Sequence, residues 1–392
     1  RPVSVEVAAV RAVEVPTRIV HGAGSIAHVG ELVAGLGVTR PLLVTDPGVV
    51  SAGLADATLA HLEDAVVFAE VRPNPDIELV GRASAAYRES GCDGFVALGG
   101  GSSMDTAKAA GVEVAHGGSI LEYEYGGTPI TSRIPPLVAV PTTAGTGSEA
   151  TLWAVITDPD RKIKFNVGGT PLIGAHVALV DPELMLGLPP AITAATGMDA
   201  LSHAIECYTC DYNQPFNDAV SLLAIELVGR WLRVACEDGG NLEARTAMAH
   251  AATLGGLAYG TESAGAAHAM SQSAGGVHEC PHGALTARVL GPVCEYNAPA
   301  APERYARIAK GLGIDVPDRS SLDAAFFGVE EVYRLTDDVG IPTMEELGFS
   351  EEEIPMLARI AFEDPQTIGN PREVDQEAYE EIYRNAFARG KR

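Results

Sequence analysis

Asp199 and His203 stand four residues apart in Thr196-Gly197-Met198-Asp199-Ala200-Leu201-Ser202-His203, a helix-favouring run. On a helix that spacing sends both side chains from one face, so a carboxylate and an imidazole can hold a single ion without bending the backbone. His268, in Ala266-Ala267-His268-Ala269-Met270, and His282, in Cys280-Pro281-His282-Gly283, would bring imidazoles from two further segments. One carboxylate and three neutral imidazoles suit Fe(II), Zn(II) or Ni(II), whereas Ca(II) and Mg(II) want mostly oxygen ligands. A second arrangement fits the same residues: a surface or capping pair of Asp and His, with the other histidines satisfied inside the core. Spacing alone leaves both open.

Two glycine-rich turns supply a different chemistry. Residues 93–108 read as a short buried strand, the triple glycine Gly99-Gly100-Gly101 and a helix start, with Ser102 and Asp105 at capping-box spacing. Glycines let the backbone approach a ligand, and the N–H groups of a first helical turn suit a pyrophosphate. The pattern differs from G-x-G-x-x-G, and a plain tight turn is the alternative. The apolar run 137–140 then enters Pro141-Thr142-Thr143-Ala144-Gly145-Thr146-Gly147-Ser148-Glu149, where Thr142, Thr143, Thr146 and Ser148 add hydroxyls. Two such loops after two apolar strands point to one nucleotide crevice. Asp46 ends another apolar run, 41–45, where an acid could accept the adenosine ribose hydroxyls and repel a 2′-phosphate. That favours NAD(H) over NADP(H).

The elements that must position these residues change type along the chain. Strand-like runs at 42–45, 66–70, 95–98, 137–140, 155–157 and Val177–Val180 alternate with helical stretches, which argues a mainly parallel sheet covered by helices. After Pro189-Pro190 the period becomes helical, with amphipathic stretches at 217–236, 242–259, 302–312, 322–339, 351–362 and 376–388. The expected architecture is an α/β nucleotide-binding domain over 1–188 and an all-α metal-binding domain over 189–392.

Composition agrees with that architecture. The 392 residues are 46% apolar, enough for sizeable cores. A net charge of −25, from 52 acids and 27 bases, works against nucleic acid or anionic membrane as a partner. No apolar run approaches the ~18 residues of a membrane span, and no secretory signal is visible, so a cytoplasmic location is expected. Six cysteines in such a chain suggest reduced thiols, and Cys207-Tyr208-Thr209-Cys210 lacks the second pair of a zinc site.

With these runs in order, together with Asn370-Pro371-Arg372, the chain resembles the iron-dependent (group III) alcohol dehydrogenase family over nearly its whole length. The resemblance implies an NAD(P)-binding α/β domain, an all-helical domain, and Fe(II) or Zn(II) in the cleft between them. Asp199, His203, His268 and His282 fall on the family's four ligand positions. Hydride would pass between a small primary alcohol or aldehyde and the nicotinamide, the metal acting as a Lewis acid on the substrate oxygen. Lys162 and Lys164 match lysines of the cofactor domain, and Lys164 is assigned here to the nucleotide. A homo-oligomer, dimer or larger, is expected.

Departures from the family fall around the substrate. Tyr259 occupies an aromatic position that borders it, and Trp153 stands where smaller residues are usual, which implies a smaller pocket. Glu262 replaces a small residue and Arg288 an aliphatic one, so Arg288 either meets an anionic substrate tail, phosphonate or carboxylate, or pairs structurally. Gln272 replaces a histidine thought to help proton transfer. Gln cannot relay a proton, whereas His278, four residues before His282, could relay it or supply a fifth ligand. Two readings of other classes stay open: a dehydroquinate synthase-like lyase, which would need a substrate site dense in Lys and Arg, and a non-enzymatic nucleotide-binding scaffold.

Overall fold

The computed structural model describes residues 13–210, 215–259, 264–278 and 280–389. Glu262 lies outside them. Among the described residues eight strands occur in chain order: β1 (Arg18–His21), β2 (Pro41–Val44), β3 (Val66–Phe68), β4 (Gly94–Gly99), β5 (Leu137–Pro141), β6 (Trp153–Asp158), β7 (Ile163–Gly168) and β8 (Val177–Val180). Six of them form one sheet in the order β1-β8-β5-β4-β2-β3, with every pairing parallel.

Strands β2, β4, β5 and β8 are buried at every position. A parallel sheet covered on both faces needs such continuous apolar runs rather than alternation. Successive residues still point to opposite faces. Leu42, Val44, Phe95 and Ala97 join one core, and Leu43, Val96, Leu98 and Val138 the other.

The expected strand at 155–157 forms, but outside that sheet: β6 pairs antiparallel with β7 in a separate hairpin. Its alternating burial, half-buried then buried, is that of a ribbon with one face covered. Strand β1 has no counterpart among the expected elements, because its polar ends, Arg18 and His21, leave only two apolar residues between them.

Beyond Pro189 the fold is helical. Helices Pro190–Thr209, Ala266–Val277 and His282–Asn297 carry the four candidate ligands, and Pro215–Glu237, Leu242–Tyr259, Pro302–Gly311, Ser321–Asp338, Ile354–Glu363 and Gln376–Arg389 pack around them. Their common core includes Tyr208, Leu285, Tyr379 and Tyr383. No helix among the described residues is long and apolar enough to cross a membrane, and no disulfide forms.

The two halves meet at two glycines. A Cβ placed on Gly256 would stand 2.3 Å from the Gly147 carbonyl oxygen. Gly147 also has φ +61°, a left-handed conformation that suits glycine. Across the same seam Thr253 donates to buried Glu149 at 2.7 Å.

Candidate metal and dinucleotide site

One face of the Pro190–Thr209 helix presents Asp199, His203 and Glu206. His268 comes from the first turn of the Ala266–Val277 helix, and His282 opens the next helix behind Pro281. Asp199, His268 and His282 each offer a ligand atom within 4.8 Å of the others. Asp199 Oδ1 is 3.8 Å from His268 Nε2 and 3.7 Å from His282 Nε2. His203 stands against this trio with its ring 4.3 Å from that of His268, and its Nδ1 is 4.0 Å from the other carboxylate oxygen, Oδ2.

Asp199 Oδ1, His203 Nδ1, His268 Nε2 and His282 Nδ1 are all buried without a hydrogen-bond partner. Four such buried polar atoms, three of them on the converging trio Asp199, His268 and His282, would be costly in a metal-free protein. The donor set fits one divalent transition ion. Burial, with the charge of His268 and other neighbours, holds His203 and His282 well below the usual histidine range. Both are therefore neutral, as ligands must be.

Glu206 is a member of the site that spacing did not single out, although it lies seven residues after Asp199 on the same face. Its Oε1 accepts from Ala267 N at 2.7 Å, and its Oε2 pairs with His268 Nδ1. Burial opposes a charge on His268, but the Glu206 carboxylate outweighs it and raises that imidazole. Binding Nδ1 in this way leaves Nε2 directed at Asp199.

Across the cleft the two glycine loops lie on each other. Thr142 N donates to Gly99 O at 2.9 Å. A Cβ on Gly100 would stand 3.3 Å from Thr143 Oγ1, and one on Gly101 2.8 Å from Thr146 Cγ2. Gly99, Gly100, Gly101 and Ser102 are thus brought together with Thr142, Thr143 and Thr146.

The expected capping box is absent, because the Gly101–His116 helix begins at Gly100 with no side-chain cap. Asp105 instead accepts from Ser148 Oγ at 2.7 Å and Val155 N at 3.2 Å. With their polar atoms engaged there, Asp105 and Ser148 act as struts of the loop rather than free cofactor contacts.

Lys108 is a second unexpected member. Fully buried, it donates to Ser148 O at 2.6 Å, Thr151 O at 3.1 Å and Trp153 O at 2.9 Å, tying helix, loop and hairpin together. Asp46 caps the short Pro47–Ser51 helix through Oδ1, which accepts from Gly48 N and Val49 N. Its Oδ2 stands 3.2 Å from where a Cβ on Gly99 would be.

Lys164 lines the cleft between the halves with Tyr125, Phe165, Gln272, Ser273 and Asp364. Burial lowers its ammonium, against the opposing influence of Cys280 and Asp199. Tyr259 borders the metal side, its ring 5.1 Å from that of His203. Trp153 packs edge-on against Tyr125, at 5.3 Å between ring centroids.

Two expectations are corrected here. Arg288 is buried, donating to Pro342 O at 2.9 Å and to Ile341 O, with Asp337 at 3.4 Å. It clamps the turn after the Ser321–Asp338 helix and is not available to an anionic substrate. His278 ends its helix and turns away, with Nε2 on Glu353 at 2.6 Å and its ring against Phe349. With Nε2 taken by Glu353, it does not offer that nitrogen to the cluster.

A parallel sheet with paired glycine loops, facing a carboxylate–imidazole cluster across one cleft, defines a metal-dependent dinucleotide oxidoreductase. The family model for iron-containing alcohol dehydrogenase matches residues 16–182, and that for the C-terminal part of the Fe-containing family matches residues 193–387. The chain belongs to the iron-containing alcohol dehydrogenase family, and it is an oxidoreductase acting on alcohols or aldehydes, which sets aside the lyase and scaffold readings.

It is 53% identical over 380 residues to a choline dehydrogenase of Bacillus subtilis (strain 168), covering 95% of this chain and 94% of the relative. A crystal structure of 1,3-propanediol oxidoreductase superposes with TM-score 0.93 at 39% identity, covering 97% of this chain and 100% of that one. A sulfoacetaldehyde reductase from Bifidobacterium kashiwanohense, solved in complex with NAD+, has TM-score 0.87 at 31% identity over 97% and 99% of the two chains.

Proposed function

We propose that this chain transfers hydride between a small primary alcohol and NAD+, giving the aldehyde, NADH and a proton. The observation that carries the reading is the set of buried, partnerless donors on Asp199, His203, His268 and His282, one cleft away from the glycine loops. These four residues would hold the ion, Fe(II) by family and Zn(II) or Ni(II) by donor type. When bound, it supplies Lewis acidity to the alcohol or carbonyl oxygen.

Gly99, Gly100, Gly101, Ser102, Thr142, Thr143 and Thr146 present backbone and hydroxyl donors to the pyrophosphate. Asp46, with Oδ2 beside the Gly99 turn, accepts the ribose hydroxyls and disfavours a 2′-phosphate. Lys164 and Tyr259 wall the substrate end and exclude water.

A second reading narrows the substrate to a cationic alcohol. With Arg288 engaged elsewhere, the cleft sets the acids Glu124, Glu363 and Asp364 and the aromatic faces of Tyr125 and Phe165, which suit an ammonium group, against the two lysines Lys162 and Lys164. The most identical relative described above is named a choline dehydrogenase.

Both readings are tested by initial rates on ethanol, 1,3-propanediol, choline and a carboxylate-bearing alcohol with NAD+ and NADP+. The expected result is turnover with NAD+, strongest on choline, and a gain in NADP+ use on Asp46→Gly. Strict NADP+ dependence would contradict the Asp46 assignment. A preference for the anionic alcohol would contradict the cationic reading.

A further inference from the structure

Gln272 lines the cleft one helical turn after His268, and its amide is not isolated. Its Nε2 donates to Lys164 O at 3.3 Å, its Oε1 accepts from Gln366 Nε2 at 3.0 Å, and Gln366 Oε1 accepts from the Tyr259 hydroxyl at 3.1 Å. Both glutamines are buried. Gln366 is itself anchored: its backbone N–H donates to Asp364 at 2.9 Å at the start of the Pro365–Gly369 turn of 3-10 helix. The same turn ends at Asn370, which accepts from Ala266 N at 3.3 Å, two residues before His268.

An amide can lie either way round, and its partners decide which. Lys164 O can only accept, so Gln272 must turn its NH2 toward it and its oxygen toward Gln366. Gln366 must then turn its own NH2 to Gln272 and its oxygen to Tyr259. The Tyr259 proton is consumed at the far end. Lys164 O at one end, and the Asp364 carboxylate that also takes a hydrogen bond from the Gln366 side chain, therefore set the direction of the chain, and the second N–H of Gln272, on a residue lining the cleft, is left to meet a ligand. That donor is neutral and does not titrate.

We propose that the Gln272 carboxamide, turned by Lys164 O, is a fixed N–H donor to the reacting oxygen of the substrate, and that this orientation holds only while position 366 does not present a competing acceptor. The proposal rests on the alcohol dehydrogenase reading above. In place of a proton relay, the site offers one pre-aimed hydrogen bond that strengthens as negative charge develops on that oxygen, while the alcohol proton leaves to solvent.

The test compares Gln366→Glu, Gln366→Met, Gln272→Leu and the Gln366→Glu/Gln272→Leu double variant with wild-type holoprotein of verified metal content. A carboxylate at position 366 can only accept, so it draws the NH2 of Gln272 to itself and turns its oxygen outward. Gln366→Met leaves Lys164 O to orient Gln272. Expected at pH 8 are losses in kcat/KM of about 10- to 100-fold for Gln366→Glu and Gln272→Leu, the size of one charge-assisted hydrogen bond, and within about threefold for Gln366→Met.

The double variant should be no worse than Gln272→Leu. Lowering the pH should restore Gln366→Glu, as the introduced carboxyl protonates and regains a donor, but not Gln272→Leu. Calorimetric binding of a short carboxamide with NADH, an aldehyde analogue whose carbonyl accepts the same N–H, should weaken about tenfold in Gln366→Glu. Equal rates for Gln366→Glu and Gln366→Met, multiplying losses in the double variant, or a loss independent of pH would each overturn the proposal. Wild-type turnover is measured separately, so the dehydrogenase reading can stand while this one fails.

Discussion

Glu206 shows how much of the metal site depends on a residue that need not touch the metal. Its carboxylate takes His268 Nδ1 and leaves the other ring nitrogen facing Asp199. Glu206→Gln keeps a similar shape and an oxygen for Ala267 N but removes the charge. Partners of this kind are worth roughly 10- to 100-fold in metal affinity. We therefore expect a loss of that size in competition with a chelator, with thermal stability of the metal-free protein nearly unchanged. An unaltered affinity would show that Glu206 is only a cap for the Ala266–Val277 helix.

That Asp199 and His203 share a helix face was legible from sequence because i, i+4 spacing on a helix has one geometric meaning. Glu206 escaped because an acid two turns further on reads equally well as solvated. His278 and Arg288 were misplaced for a related reason. Nearness in sequence to His282 does not set direction, and a helix C-terminus and the far side of a helix turned their side chains to Glu353 and to the 341–342 carbonyls.

Among the elements, the central strands could be recognised because a doubly covered parallel sheet writes itself as unbroken apolar runs. The run 155–157 was misassigned to that sheet because three strand-like residues carry no information about their partner. Lys108 was invisible for a different reason. A lysine two turns into a helix reads as a solvated side chain, yet burial turned it inward to three carbonyls.

The start of β5 carries a pH-dependent tether. Leu137 N donates to His176 Nδ1 at 3.2 Å, and burial, then the charge of Arg133, holds His176 down to about 4. An unfolded histidine titrates near ~6.5, so between these values the unfolded chain binds more protons than the folded one. The stabilisation is complete above pH ~6.5 and is lost as the pH falls toward 4, about 1–2 kcal/mol after allowing for partial exposure. Urea unfolding at pH 7 and pH 5 should show this loss, and His176→Asn should reduce it. An identical loss in the variant would place the acid sensitivity elsewhere.

At the scale of the whole molecule, neither half is an active site alone. The sheet presents glycine loops, the helices present ligands, and the Gly147–Gly256 approach and the Glu149–Thr253 bond hold the two surfaces at a fixed separation. Lys164 from the hairpin and Gln272 from the helical half then close the cleft between them. The order of the sequence motifs foretold this division, whereas the seam depends on glycines whose role is visible only once another backbone lies against them. The central claim is that alcohol oxidation requires an ion held by Asp199, His203, His268 and His282. Its most direct test is NADH formation from a fixed alcohol by protein stripped with chelator and then titrated with Fe(II) or Zn(II), metal content being measured on the same samples. The account predicts that activity vanishes on stripping and returns in proportion to metal, saturating at one ion per chain. It also predicts that the same titration of His268→Ala restores neither full occupancy nor activity. Full activity in a sample measured to be free of metal would contradict it.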